Sequence, residues 1–361
     1  MANKHIKILH FAPFNTAGVP ITFVKAEREL GYESRLITMG RHPAGYDEDI
    51  CLNLPLLNFP GLNFIKRILR PRQQSVVSNL ARKPDEIPLK WRTHRLEKTF
   101  FTARELLWKP IIQQVIDKYD IESYDIIQLD GGLEFYRDGR FIRRLKEMGK
   151  KVICCYLGSD LRIRGVIPEI DAISDLNITD EFDHLQLHPD IHHIFFPFDW
   201  REFESTPKKD KSEPIIIGHA PTNRQAKGSD IIIPVVRELE KDFPIQLLLI
   251  EKMSYEQALE QKSRCDIFID QIGDLGYGIN SLEALAMEIP VCSCLAPGFA
   301  EKYPDHPFIV VDEYNLKEKL IQLIQDKNMR QQVGSVGREW LTKYHDANNI
   351  VKRIHELAGI S

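Results

Sequence analysis

From end to end the chain alternates short apolar runs with segments of helical period, and this rhythm constrains its fold more than any other feature. IKILHFA is followed by PITFVKAEREL and then by ESRLIT, and comparable pairs recur to the C-terminus. Five or six apolar residues in a row suit a strand buried on both faces, and a 3.6-residue period suits a helix lying on the sheet. Alternation of the two implies parallel sheets covered on both sides, which is the α/β class. In the first half the pattern predicts strands at residues 6–12, 34–38, 125–129, 152–156 and 176–178, with a first helix from Pro20 to near Gly31.

Residues 52–90 interrupt the rhythm with PLLNFPGLNF, RPRQQ and ARKPDEIP. A long connection of this kind inside a compact domain is more often functional than idle. The rhythm resumes for good after FFPFDWREFESTPKKDKSEP, whose proline and charge content reads as an interdomain linker. The second series predicts strands at 215–219, 246–251, 266–270, 291–294 and 308–311 and helices at 229–243, 254–263 and 280–288. At 361 residues the chain exceeds one ordinary domain, and two are expected, at 1–198 and 199–345. A last helix, about 346–361, is expected to pack back on the first domain.

Composition narrows the partners. The N-terminus, MANKHIKILHFAP, lacks the charged, apolar and small-residue regions of a secretory signal, and no apolar run is long enough to span a bilayer. A cytoplasmic protein is expected, with peripheral contact at the inner face of the membrane as one use of its basic stretch. That stretch, residues 61–110, holds twelve Lys or Arg against four Asp or Glu in a chain of net charge -4. It offers a membrane surface or an anionic acceptor a place to bind, or else forms a solvated face. No nucleic-acid motif accompanies it. The cysteines, Cys51, Cys154, Cys155, Cys265, Cys292 and Cys294, include no C-x-x-C pair and read as reduced thiols, mostly in buried strands. His184, His188, His192 and His193 recur at suggestive spacings, but Pro189 breaks any helix between them and no acid or thiol completes a ligand set, so no metal is expected.

In open parallel sheets ligands bind beyond the carboxyl ends of the strands. After the strand ending at His219 come Arg224, Lys227 and Gly228, a guanidinium, an ammonium and a helix start that suit a diphosphate, or two solvated charges in a surface loop. In DLGYGINSLEALAMEIPV, Gly276 and Gly278 flank Tyr277, Asn280 or Ser281 can cap the helix, and Glu283 can accept two hydrogen bonds from a ribose diol or simply match the helix dipole. The first turn, FAPFNTAGVP, places Asn15, Thr16, Ala17 and Gly18 before a helix and suits an anion, or a tight turn that needs glycine. Asp130 and Asp160 each follow a strand, where a carboxylate can orient an acceptor hydroxyl, act as base, or cap a turn.

NRQAKG followed by GYGINSLEALAMEIPV resembles the donor-binding half of retaining GT-B glycosyltransferases, the family typified by glycogen synthase and bacterial cell-envelope transferases. YLGSDLR is similar to that family's H-G-S-D-x-R loop, and FPFDWREF to its N-G-V-D-x-x-x-F sequence. The resemblance implies two Rossmann-like domains facing across a cleft, the first for the acceptor and the second for the donor. It implies transfer of a sugar, with retention, from a nucleotide diphosphate sugar to a hydroxyl of a glycan, lipid-linked or other acceptor, in glycan or cell-envelope polysaccharide synthesis, with no cofactor beyond that donor. Arg224 and Lys227 would hold the diphosphate, the amides near Gly276–Gly278 would assist, Glu283 would take the ribose, and Gly18 would belong to a turn that meets donor phosphate or acceptor. Two positions depart from the family: Leu275, beside Asp274, stands at its first glutamate, and Leu157 at its loop histidine. These departures motivate a rival reading, a nucleotide-sugar-binding or partner subunit that has lost catalysis. A hydrolysing sugar-nucleotide epimerase is a second rival, and the missing histidine counts against it.

Overall fold

The computed structural model describes residues 6–57, 87–203, 214–273 and 276–360. The chain divides into two compact units, Met1–Pro197 with Ala347–Ser361, and Phe198–Asp346.

Unit 1 runs β1 (Lys7–Ala12), α1 (Val19–Glu29), β2 (Glu33–Thr38), β3 (Ile50–Cys51), α2 (Arg95–Lys118), β4 (Ile126–Asp130), α3 (Arg140–Glu147), β5 (Lys151–Tyr156), α4 (Pro168–Asp171), β6 (Leu176–Thr179) and β7 (His192–His193). Its strands form one sheet in the order β3-β2-β1-β4-β5-β6-β7. Every pairing is parallel, with Leu9 opposite Ile127 and Ile127 opposite Val152. Alternate residues share a face. Leu9, Phe11, Ile127, Leu129, Val152 and Cys154 accordingly join one core with Trp108 and Ile112 of α2, while Ala12 and Leu36 turn to the other face with Ile21 and Val24 of α1. The two-residue edge strands β3 and β7 are too short to leave a periodic signal, and the sequence pattern does not predict them. Burial of Trp108, whose indole donates to the Pro55 carbonyl at 2.7 Å, ties α2 to the chain after β3.

Unit 2 runs β8 (Ile215–His219), α5 (Ser229–Leu239), β9 (Ile245–Leu249), α6 (Tyr255–Ser263), β10 (Ile267–Ile269), α7 (Ile279–Ala286), β11 (Val291–Ser293), α8 (Phe299–Lys302), β12 (Ile309–Val310), α9 (Leu316–Gln325) and α10 (Lys327–His345). Its sheet, also parallel throughout, has the order β12-β11-β10-β8-β9. The last helix, α11 (Ala347–Leu357), belongs to unit 1. There Asn348 donates to Glu29 at 2.8 Å, and the His355 ring meets Tyr32 edge-on and approaches Glu27 at 3.4 Å.

Both units are Rossmann-like α/β layers. In each the strand order reverses beside the first strand, between β1 and β4 in unit 1 and between β8 and β10 in unit 2. Connections on either side of such a reversal leave to opposite faces and open a crevice at the carboxyl ends of the strands.

Candidate functional site

In unit 2 the reversal gathers most of the residues singled out from sequence. Lys227, in the turn after β8, donates to Asp270 Oδ1 at 2.9 Å and also to Gln271 Oε1. Asp270 follows β10 and is buried. Its carboxylate also accepts from the Gly278 amide at 2.9 Å and the Ser281 hydroxyl at 2.6 Å. Burial alone would raise this carboxyl, but Lys227 and those two donors outweigh it and hold it below the ordinary carboxylate range. A fixed ammonium therefore stands between two loops at the strand ends. Gly228 lets the loops meet: its φ is +69°, and a Cβ there would lie 2.6 Å from Ile272 Cγ1 and 3.1 Å from the Gly273 nitrogen.

Arg224 lies further out. Its guanidinium makes two bonds to Glu251, at 2.8 and 2.7 Å, and stays largely exposed. His219 is fully buried with both ring nitrogens committed, to the Ile269 carbonyl and the Ser229 hydroxyl at 2.8 Å each, and it pins β8, β10 and α5 together. Burial holds its pKa below the ordinary imidazole value.

Neither Asn280 nor Ser281 caps α7. Gly278 is the N-cap residue and no side chain bonds there, because Ser281 is drawn to Asp270 and Asn280 to Lys262 at 2.8 Å and the Ala220 carbonyl at 3.3 Å. Lys262 of α6 is buried and pairs with Glu283 Oε2. Glu283 Oε1 makes no hydrogen bond with any described residue. Tyr277 turns the other way: its ring stacks on Phe308 at 4.5 Å and its hydroxyl meets His345 at 3.1 Å, so only its backbone faces the turn. Gly276, at φ +115°, directs its carbonyl to Gln271 and to the Ser293 hydroxyl.

In unit 1 the carboxyl ends of β4, β5 and β6 bring three carboxyls together. Asp160 accepts from the Leu157 amide at 3.0 Å and pairs with Arg164 at 3.1 Å, which closes the YLGSDLR loop on itself. His184 supports that loop through the Gly158 carbonyl at 3.0 Å, and burial pushes its pKa down to about 4, so it is neutral at pH 7. Arg162, of the same motif, faces inward onto Asp183 and Glu181 as a clamp. Asp130 ends β4, where burial first and Asp160 second push its carboxyl well above the usual range, with Arg164 opposing. A carboxyl shifted upward in this way favours its protonated form, which can donate a hydrogen bond to an acceptor oxygen. Asp180, beyond β6, escapes the sequence reading. It is 5% exposed, no other described residue hydrogen-bonds either oxygen, and burial, Glu181 and Asp130 push it well above its ordinary value. Its signal in sequence is an acid directly after a strand, the same kind of position that marks Asp130.

In the first turn, Gly18 caps α1 with φ +72°, and Asn15 is fully buried, accepting from the Ile21 amide at 3.3 Å and donating to the Asp47 carbonyl. The side chain of Asn15 is thus spent on the turn. Asp274, Leu275 and residues 58–86 of the basic stretch lie outside the described residues, and residues 95–110 of that stretch form the first part of α2. Among the described residues no helix is long and apolar enough to cross a membrane.

The β4–α3 connection contains a buried carboxyl with a measurable consequence. Glu134 accepts from the Phe141 amide at 3.1 Å, and burial pushes its pKa up to about 8 although the Phe141 and Tyr136 amides act against the rise. Because this value lies above the ordinary 4.5, the stability tied to the protonated form is complete below pH 4.5 and is lost as pH rises through about 8. Glu134→Gln stays neutral at every pH and is expected to be more stable than wild type by several kcal/mol near pH 8, since each tenfold change in proton affinity is worth about 1.4 kcal/mol. Urea unfolding across pH 5 to 9 checks this, and a variant as pH-dependent as wild type would refute it.

The class this fold defines is GT-B. The chain superimposes on a glycosyltransferase from Rickettsia africae with a TM-score of 0.60 at 13% identity, covering 99% of this chain and 98% of that one. It superimposes on sucrose-phosphate synthase from Thermosynechococcus elongatus with a TM-score of 0.62 at 12% identity, covering 98% of each. In sequence it is similar to an uncharacterized glycosyltransferase of Methanocaldococcus jannaschii, 22% identical over 33% of this chain and 40% of the relative. The chain thus spans about 40% of the length of the curated relative it matches. No family model matches the chain.

Proposed function

We propose that this protein is a glycosyltransferase that moves a sugar from a nucleotide diphosphate sugar to an acceptor hydroxyl. The observation that carries the reading is the placement of Lys227 at the unit 2 reversal, fixed against Asp270 and beside the turn that opens α7. Breaking a glycosidic bond to a diphosphate builds negative charge on the phosphate, and a preorganised ammonium with nearby amides stabilises that charge where it grows. Glu283 Oε1 takes the ribose diol, while Asp180 and Asp130 in unit 1 hold the acceptor hydroxyl. Retention of configuration and a place in glycan or cell-envelope polysaccharide synthesis follow from the resemblance of the motifs. The M. jannaschii relative and the shared fold support the transferase class.

A thermal-shift panel of UDP, GDP, ADP and their sugar conjugates tests the donor site. Ligand at 100 times its dissociation constant stabilises by about 2.7 kcal/mol. One base family is expected to shift the wild type and to lose most of that shift in Lys227→Ala. Absence of a shift with every nucleotide would remove the donor assignment. A specific observation favours a second reading, a nucleotide-sugar-binding subunit without turnover: Leu157 stands at the motif's histidine position, and its amide is occupied in closing the loop on Asp160. Nucleotide binding without donor hydrolysis or transfer would select that reading.

A further inference from the structure

A cavity of about 670 Å³ opens in unit 1 between α2, the β4–α3 connection and the start of α4, apart from the residues assigned above. Its size falls in the range of small-molecule sites. Five cationic side chains line it against three acidic ones. Arg140 is already held by Glu105 at 2.7 Å and Asp138 at 3.3 Å, and Arg144 by Glu122. That leaves Lys98, Lys109 and Arg137, none of which pairs with a carboxylate among the described residues.

The wall behind Arg137 is more unusual. Its guanidinium lies 5.4 Å from the ring centre of Trp91 and 5.5 Å from that of Phe101. Arg104 lies 4.9 Å from the same Phe101 ring and 4.0 Å from that of Trp108. Arg104 is 3% exposed, and its Nε has no hydrogen-bond partner among the described residues. Arg164, next in line, leaves Nε and one terminal nitrogen without a partner among the described residues. Burial first, then Arg164 and Arg104, pull Arg137 down to about 9, still charged at neutral pH. Asp160 pairs with Arg164, and Glu105 partly offsets the charge of Arg104 and Arg137, but crowded guanidinium groups around a buried Arg104 remain costly, and aromatic faces offset only part of that cost. An arrangement of this kind is stabilised by an anion that arrives from outside, and guanidinium geometry matches the oxygens of a phosphate.

We infer that this cavity binds the phosphate of a phosphorylated acceptor, with Arg137 on the phosphate, Lys98 and Lys109 adding positive charge along the α2 wall, and Trp91, Phe101 and Tyr136 against the ring or chain that bears it. The acceptor role rests on the glycosyltransferase reading; the anion site does not. Two sources carry this chemistry, a soluble sugar phosphate and a lipid phosphate, and they differ in what lies against the aromatic rings.

The test is calorimetric titration of the whole chain with two matched pairs of probes, glucose 6-phosphate against glucose, and dihexanoyl phosphatidic acid against dihexanoylglycerol. At least one phosphorylated probe is expected to bind about tenfold or more tightly than its neutral partner, to weaken with salt, and to lose about tenfold in affinity in Arg137→Gln with partial recovery in Arg137→Lys. The tighter of the two phosphorylated probes names the source. Lys98→Gln/Lys109→Gln, at the more open side of the cavity, is expected to weaken the same probe and serves if Arg137→Gln does not fold. Equal binding of charged and neutral probes, no binding of either phosphate, or affinity unchanged in the folded variants would overturn the inference. Nucleotide titration of the same samples keeps the two readings apart. A chain that binds phosphate through Arg137 but no nucleotide loses the transferase reading and keeps the anion site, and the reverse result does the opposite.

Discussion

Lys227→Ala is expected to lower kcat/KM for sugar transfer by about 100- to 1,000-fold, the scale measured when one preorganised donor is removed from a site of developing negative charge. Its side chain is only 13% exposed and is fixed by Asp270 and Gln271, so little reorganisation is needed when the leaving phosphate gains charge. Arg224→Ala is expected to cost about tenfold or less. That guanidinium is 57% exposed and must give up two bonds to Glu251 before it can serve a phosphate. Steady-state kinetics with donor varied distinguish the two, because loss of leaving-group stabilisation falls on kcat, whereas loss of uniform binding falls on KM. A Lys227→Ala enzyme within threefold of wild type would show that the leaving group is stabilised elsewhere.

The contrast between these cations also shows what a sequence can carry. Where strands and helices were predicted, apolar periodicity placed them within a few residues because the sheets of both units are buried on both faces, but α2, α3, α8, α9 and α10 were not predicted. The two edge strands, β3 and β7, had no periodicity to reveal them. At the unit 2 reversal, residue type and position after a strand were sufficient to bring Lys227, Gly228 and Gly278 to one place. Direction was not legible. Arg224 and Lys227 share a turn, yet one faces Glu251 and the other Asp270. Tyr277, between two glycines, faces an aromatic core because Phe308 and His345, distant in sequence, are there to receive it. Asp180 and Asp270 were overlooked although each stands at the end of a strand, the position that did bring Asp130 forward. The cluster of Arg104, Arg137 and Arg164 had no sequence signature at all, because it is assembled from α2 and two loops.

Lys262→Met is expected to destabilise unit 2 by about 3–5 kcal/mol, the cost of leaving one buried charge without its partner. Lys262 falls one helical turn after Ala258 on the inward face of α6, its side chain is 1% exposed, and its ammonium lies 5.1 Å from the ring centre of Phe268 as well as against Asn280 and Glu283. Removing it leaves the Glu283 carboxylate, whose side chain is 4% exposed, without its cation. Lys262→Met/Glu283→Gln removes both charges and is expected to recover most of the loss, since a buried ion pair replaced by neutral groups of similar volume is often close to neutral in stability. The coupling energy from the four proteins, measured by urea unfolding, isolates the pair. The double variant then separates structure from recognition at Glu283. With Oε2 committed to Lys262 and Oε1 left for the ribose, a folded double variant is expected to bind nucleotide about tenfold more weakly. Wild-type affinity in that folded variant would make Glu283 a purely structural partner of Lys262 and move ribose recognition to another group at the β8–β10 crevice.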